Sequence, residues 1–284
     1  MSLANGFNRV EGETATLLRR CAANVTTALG VLTRPPRIRL PRSDAYSLPL
    51  LAIVAAIAIA VFLLLAWTLD AAASRGAGHL PRWIIDLFDD ITDFGKSGWF
   101  LWPLGLLFIA LAALPPTLTP ISQRVLAAVM VRVGFLFTAI AVPSLFVTIV
   151  KRMIGRARPN VGGSLDPFLF SPFKWEAAYA GMPSGHATTA FALAIAVAAV
   201  WPRARVAMAV YALVIAATRL VLLAHHPSDV VAGALVGIIG AMFVRYWFAA
   251  RRLGFAIQRD GTIVSLVGPS SGRLKRVARG ASAP

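Results

Sequence analysis

Six apolar runs dominate the chain, at about residues 49–69, 98–114, 125–150, 186–201, 204–224 and 229–249, with brief polar breaks between them. An α-helix rises about 1.5 Å per residue, so about 20 apolar residues cross the hydrocarbon core of a bilayer. The pattern therefore predicts six transmembrane helices, of which the second and fourth are short. Several runs are rich in Ala and Gly, which lets membrane helices approach closely. One such run could be the core helix of a soluble protein, but six in succession have no soluble counterpart. The expected fold class is all-α, an integral membrane bundle of six transmembrane helices. It occupies residues 49–249 between two basic tails, 1–48 and 250–284.

The segment joining the first two runs has a different pattern. In LPRWIIDLFDDITDF, Trp83, Ile84, Leu87, Phe88 and Ile91 share one helical face, and Asp86, Asp89, Asp90 and Asp93 lie largely on the other. This predicts a short amphipathic helix in the outer interface, with a docking surface for another subunit as the competing reading.

Composition agrees with the pattern: the 284 residues are 58% hydrophobic and 14% charged. A net charge of +16 raises the question of nucleic acid, but long uncharged runs separate the Lys and Arg clusters, so no nucleic-acid partner is expected. Residues 1–48 contain no early apolar core followed by a small-residue cleavage site, which makes the first run a signal anchor. With six spans, one side collects seventeen Lys and Arg: seven in residues 1–48, Arg124, Arg203, Arg205 and seven after residue 249. The other side collects eight, so both termini are predicted cytoplasmic in a bacterial-type inner membrane. Cys21 is the one cysteine, which excludes an intramolecular disulfide and a cysteine-rich metal site. Histidine chemistry is confined to His79, His186, His225 and His226.

Three clusters fall on the same, non-cytoplasmic face. The first is Lys151, six residues, then Arg158 and Pro159. The second is Pro183, Ser184, Gly185 and His186; the third is Thr218, Arg219, five residues, His225, three residues and Asp229. This set contains what metal-free hydrolysis of a phosphate ester requires. Lys151, Arg158 and Arg219 can hold phosphate oxygens, the Arg forks in bidentate fashion. The Ser184 and Gly185 amides at a helix start add donors and a favourable dipole. Of two histidines, one serves as nucleophile at phosphorus and the other as proton donor to the leaving oxygen, and Asp229 can orient the nucleophile. Arg152 and Arg156 are read as solvated interface charges, and Arg132 and Arg245 as side chains snorkelling from span ends. Arg219, about six residues inside the fifth run, needs a partner or a cavity. The aromatic loop residues Phe168, Phe170, Phe173, Trp175 and Tyr179 are read as an interfacial anchor, with a lid over the lipid as the sharper alternative.

The three clusters, in this order and spacing, resemble the signature of the type 2 phosphatidic acid phosphatase superfamily of integral-membrane lipid phosphatases, over about residues 98–249. Thr218 stands where that family usually has Ser, and a hydroxyl is retained. The resemblance implies His225 as a nucleophile forming a phosphohistidine, Asp229 as its orienting partner and His186 as the general acid that later activates water. Lys151, Arg158, Ser184, Gly185 and Arg219 would hold the phosphate, with no metal and no organic cofactor. The implied substrate is a lipid phosphate or diphosphate at the outer face: phosphatidic acid, phosphatidylglycerophosphate, undecaprenyl diphosphate or a lipid A phosphate. A phosphotransferase on the same scaffold and a non-catalytic lipid transporter are the competing readings; a transport site would lie near the midplane rather than at one face.

Overall fold

The computed structural model describes residues 2–37, 48–114, 120–163, 165–270 and 272–275. Arg39, Arg42, Arg276 and Arg279, counted above in the two tails, lie outside the described residues. Five helical stretches among them are long and apolar enough to cross a membrane: Ala56–Ala77, Arg82–Ala113, Ile121–Ile154, Pro202–Val221 and Pro227–Ala250. The sixth, α7 (Gly185–Val200), is a shorter apolar helix, as the brevity of its run predicts. The protein is thus an all-α, multi-pass membrane protein, and its one sheet among the described residues is a two-stranded hairpin.

The chain divides into two compact units. One comprises Met1–Arg39, Trp102–Phe135 and Tyr246–Pro284. Most of the expected N-terminal tail is here a helix, α1 (Ser2–Thr33). Asn24 donates to the Ala112 carbonyl at 2.6 Å, and Trp247 donates through Nε1 to the Leu32 carbonyl at 3.1 Å. The C-terminal segment forms strands β1 (Phe255–Ile257) and β2 (Ile263–Ser265), paired antiparallel. Phe255 stacks edge-on against Phe135 with ring centroids 4.6 Å apart, and Phe135 meets Phe248 at 5.4 Å. Arg132, expected to snorkel, instead donates to the Ala128 and Leu266 carbonyls at 2.9 and 2.8 Å and ties the strand end to its helix.

The other unit, Leu40–Leu101 and Leu136–Arg245, carries every candidate site residue. It begins with α2 (Leu48–Leu65), a π-helical turn at Ala66–Asp70 and α3 (Ala71–Ala77). Next come α4 (Arg82–Thr92), a 3₁₀ turn at Asp93–Gly95 and the start of α5 (Gly98–Ala113). The second part of α6 (Pro120–Ile154), α7, α8 (Arg205–Val221) and most of α9 (Pro227–Ala250) complete it. Helices α7 and α8 pack on a core of Ala190, Ala194, Ala212 and Ile215, which Ile91 of α4 also touches. Between α7 and α9 the approach is backbone to backbone. A Cβ on Gly233 would lie 2.4 Å from the Ser184 carbonyl oxygen, and one on Gly237 would lie 2.4 Å from that of Thr188. Thr188 adds a hydrogen bond from its hydroxyl to the Gly233 carbonyl at 3.0 Å. Small residues four apart allow this contact, and it sets the start of α7 against the start of α9, where two of the three sequence clusters lie.

Candidate active site

The third cluster is built on a chain reversal. Helix α8 ends at Val221 because Leu223 takes a positive φ of 49°, so Arg219 sits in the last turn rather than six residues inside a longer helix. Its carbonyl accepts the amides of Ala224 and His225 at 3.1 and 3.2 Å, which folds the loop back on the helix end. Helix α9 then starts with Pro227 at its first position, and the Asp229 carboxylate reaches back to the His226 amide at 3.0 Å. This satisfies an orphan amide and places a negative charge at the positive end of the helix. Local capping thus shapes the loop and holds His225 buried beside two helix ends.

The His225 ring has a defined tautomer. Nδ1 lies 2.7 Å from the Gly181 carbonyl, which can only accept, so Nδ1 carries the proton and the lone pair is on Nε2. Asp229 Oδ2 is 3.8 Å from the same Nδ1, beyond a hydrogen bond. The direct orienting partner is therefore the Gly181 carbonyl, and Asp229 acts on the ring through its charge. Burial lowers the proton affinity of His225, against the opposing pull of Asp229, so the ring favours the neutral form.

The second cluster shows one departure from expectation. The Ser184 amide donates to the Asp229 carbonyl at 3.0 Å, so this N–H is already engaged and is not a phosphate donor. The contribution of Ser184 is its hydroxyl, wholly buried and without a partner among the described residues. Gly185 is the first residue of α7, where amides have no acceptor within the helix. His186 Nε2, Arg158 Nε and Arg219 Nε are likewise buried and unpaired. The His186 ring lies within electrostatic range of Arg219, His225, Lys96 and Arg158, and Lys151 lies within range of Arg158. Burial and the neighbouring Arg152 lower the proton affinity of Arg158, and the Asp229 carboxylate opposes them. Buried donors are normally satisfied, and four of the unpaired buried groups among the described residues come from the three clusters.

Arg156 is the main correction. Read from sequence as a solvated charge, it is wholly buried and joins two carboxylates. Its guanidinium donates to Asp229 Oδ1 at 2.5 Å, Asp70 Oδ2 at 2.7 Å, Ser228 Oγ at 2.7 Å and the Pro167 carbonyl at 2.8 Å. Asp70 in turn accepts the Ser228 amide at 2.9 Å and its hydroxyl at 2.5 Å. The Asp70 carboxylate, at the end of the π-helical turn, thus fixes both the guanidinium and the start of α9. Gly155, with φ of 63°, brings this stretch so close to the next loop that a Cβ there would lie 1.9 Å from the Ser171 carbonyl oxygen. Arg156 also faces the rings of Phe62 and Phe170 at 5.3 and 5.9 Å. In the aromatic loop Arg152 donates to the Trp175 carbonyl, and Phe173 and Trp175 are largely exposed. No group of three or more His, Cys, Asp or Glu among the described residues is arranged to hold a metal ion.

Comparison with known proteins decides the family. The sequence profile of the PAP2 superfamily matches residues 132–253, and the chain is 35% identical over 190 residues to the lipid A 1-phosphatase of Rhizobium etli, covering 82% of that relative and 66% of this chain. The chain belongs to the PAP2 superfamily. It is a membrane phosphatase of the hydrolase class, in keeping with its apolar helices. The lipid A 1-phosphatase of Rhizobium johnstonii is 34% identical over 190 residues, covering 78% of that relative. The crystal structure of a transmembrane PAP2 type phosphatidylglycerolphosphate phosphatase from Bacillus subtilis matches with a TM-score of 0.47 and 19% identity, covering 68% of this chain and 94% of that one.

Proposed function

We propose that this PAP2 member removes a phosphate from a lipid through a phosphohistidine on His225, and that its substrate is lipid A phosphorylated at the 1-position. The observation that supports the chemistry most is the His225 tautomer: Nδ1–H on the Gly181 carbonyl leaves Nε2 as a free nucleophile among unpaired cationic donors. Attack by Nε2 forms the N–P bond as the P–O bond to the lipid breaks, and His186 gives its proton to the leaving oxygen. Lys151, Arg158, Arg219, the Ser184 hydroxyl and the Gly185 amide hold the other phosphate oxygens and offset their charge in the transition state. His186, now neutral, takes a proton from water; the hydroxide attacks phosphorus, the N–P bond breaks, and inorganic phosphate leaves. Asp229 stabilises the positive charge that develops on the ring, because Arg156 alone cannot neutralise both Asp229 and Asp70.

The substrate reading rests on the two relatives named lipid A 1-phosphatases. The excess of basic residues toward the termini supports an outer-face site in an inner membrane, with both termini cytoplasmic. The test is release of inorganic phosphate by the purified protein from lipid A, phosphatidic acid, phosphatidylglycerophosphate and undecaprenyl diphosphate side by side. The reading expects release from lipid A at its 1-position to exceed the others by at least about tenfold in kcat/KM, which is about 1.4 kcal/mol of discrimination. Equal or faster release from a glycerophospholipid would remove the substrate assignment, and transfer to an acceptor without free phosphate would replace hydrolysis by phosphotransfer.

A further inference from the structure

Helix α4 and the 3₁₀ turn after it lie outside residues 132–253, which match the family, yet they touch two of the candidate site residues. Thr92, the last residue of α4, is buried, and its hydroxyl accepts a hydrogen bond from Arg219 Nη1. The directions of the neighbouring bonds follow from counting protons. Thr218 donates its single hydroxyl proton to the Ile215 carbonyl at 2.7 Å, so in its 2.9 Å contact with Thr92 it must accept. Thr92 therefore donates to Thr218 and keeps a lone pair for Arg219. The result is an ordered chain: Arg219 guanidinium, Thr92 hydroxyl, Thr218 hydroxyl, Ile215 carbonyl. Each link polarises the next, and the last is anchored on helix backbone. This gives the hydroxyl at position 218 a purpose that Thr and Ser serve equally.

Three residues on, the same segment meets the second catalytic candidate. A Cβ on Gly95 would lie 2.8 Å from His186 Cδ2 and 2.6 Å from Ile215 Cγ2, so the bare backbone of the 3₁₀ turn is the seat of the imidazole. The Tyr211 hydroxyl holds the turn in place by donating to the Phe94 carbonyl at 2.7 Å. Arg219 and His186 come from different helices, and this short stretch contacts both.

We infer that Thr92 is a positioning residue for Arg219, so that the turn joining α4 to α5 forms a wall of the phosphate site. The inference rests on the phosphatase reading above and deepens it. A guanidinium tied at one Nη samples fewer rotamers, and its buried unpaired Nε stays available to a phosphate. Without the tie, Arg219 would spread over rotamers and lose part of its contact with the transition state.

The test compares Thr92→Val, which keeps shape and loses the hydroxyl, with Thr92→Ser, which keeps the hydroxyl and loses a methyl. Orthovanadate binding to the purified proteins is measured by calorimetry, alongside kcat and KM on a lipid phosphate. A lost hydrogen bond to a charged group corresponds to about a 10- to 100-fold effect. Thr92→Val is expected to weaken vanadate binding and lower kcat/KM by that range, with most of the change in kcat. Thr92→Ser is expected to stay within about threefold of wild type, and both variants should unfold thermally within a few degrees of it. Wild-type vanadate affinity in Thr92→Val, or equal losses in the two variants, would overturn the positioning role while leaving the phosphatase reading intact. Failure of the wild-type protein to bind vanadate at all would bring down that reading and this inference together.

Discussion

Replacing Arg156 by Met is the substitution whose cost the structure determines most closely. The wild-type side chain makes four hydrogen bonds, two of them ion pairs with carboxylates that are 0% exposed. Methionine fills a similar volume, so the cost is electrostatic rather than steric. It leaves Asp70 and Asp229 buried without a shared cation, and Ser228 Oγ and the Pro167 carbonyl each lose a donor. Breaking a buried ion pair by removing one partner costs about 3–5 kcal/mol, a large part of the roughly 5–15 kcal/mol that holds a protein folded. Converted at about 1.4 kcal/mol per decade, that is on the order of 10²–10⁴ in the folding equilibrium. The double variant Asp70→Asn with Arg156→Met removes one of the two stranded charges. It should therefore lose less than the sum of the single losses, with a coupling of about 1–3 kcal/mol. The assay is thermal unfolding of detergent-purified protein for the two single variants and the double. An Arg156→Met protein as stable as wild type, or energies that add within about 0.5 kcal/mol, would refute the claim that Asp70, Arg156 and Asp229 act as one buried unit.

Orthovanadate should inhibit at low concentration and EDTA should leave activity unchanged, since a trigonal-bipyramidal vanadate mimics the state held by Lys151, Arg158 and Arg219; inhibition by EDTA that a divalent cation reverses would contradict the metal-free mechanism. The pH profile of kcat/KM follows from His225. Attack needs the neutral ring and burial lowers its proton affinity, so activity should rise with pH through a value below the ordinary 6.5; an acid limb above 6.5 would place a different group in that role. For topology, a reporter fused after Ala250 should behave as cytoplasmic, and a cysteine placed at Phe168 should react with an impermeant thiol reagent in intact cells; labelling only after lysis would invert the orientation.

The spans were legible because about 20 apolar residues in a row have few structural uses, and the three motifs because their spacing places polar groups at helix ends on one side. The buried Arg156 was not legible. From local sequence it looks like its neighbour Arg152, and its partner Asp70 lies 86 residues away at the end of an apolar run. A carboxylate at the boundary of a span was the available signal, since an ionisable group there needs a partner. Thr92 gave no signal, because a threonine at the end of an amphipathic helix is ordinary until Arg219 folds onto it. The engagement of the Ser184 amide was not legible for a related reason. A helix start advertises free donors, but the glycines of α9 bring the Asp229 carbonyl close enough to take this one. The N-terminal helix was hidden by charge and by the Pro-Arg stretch that follows it, and the hairpin by strands of only three residues each.

The central claim, covalent catalysis at His225 Nε2, is tested most directly by trapping the intermediate. Purified protein is mixed with a substrate labelled in its terminal phosphate, quenched in alkali within one turnover, and mapped by mass spectrometry. The account predicts a phosphoryl group on His225 that is stable in alkali and labile in acid, absent from a folded His225→Ala protein whose turnover falls by several orders of magnitude. Phosphate on His186 instead, or a His225→Ala protein with substantial activity, would contradict it.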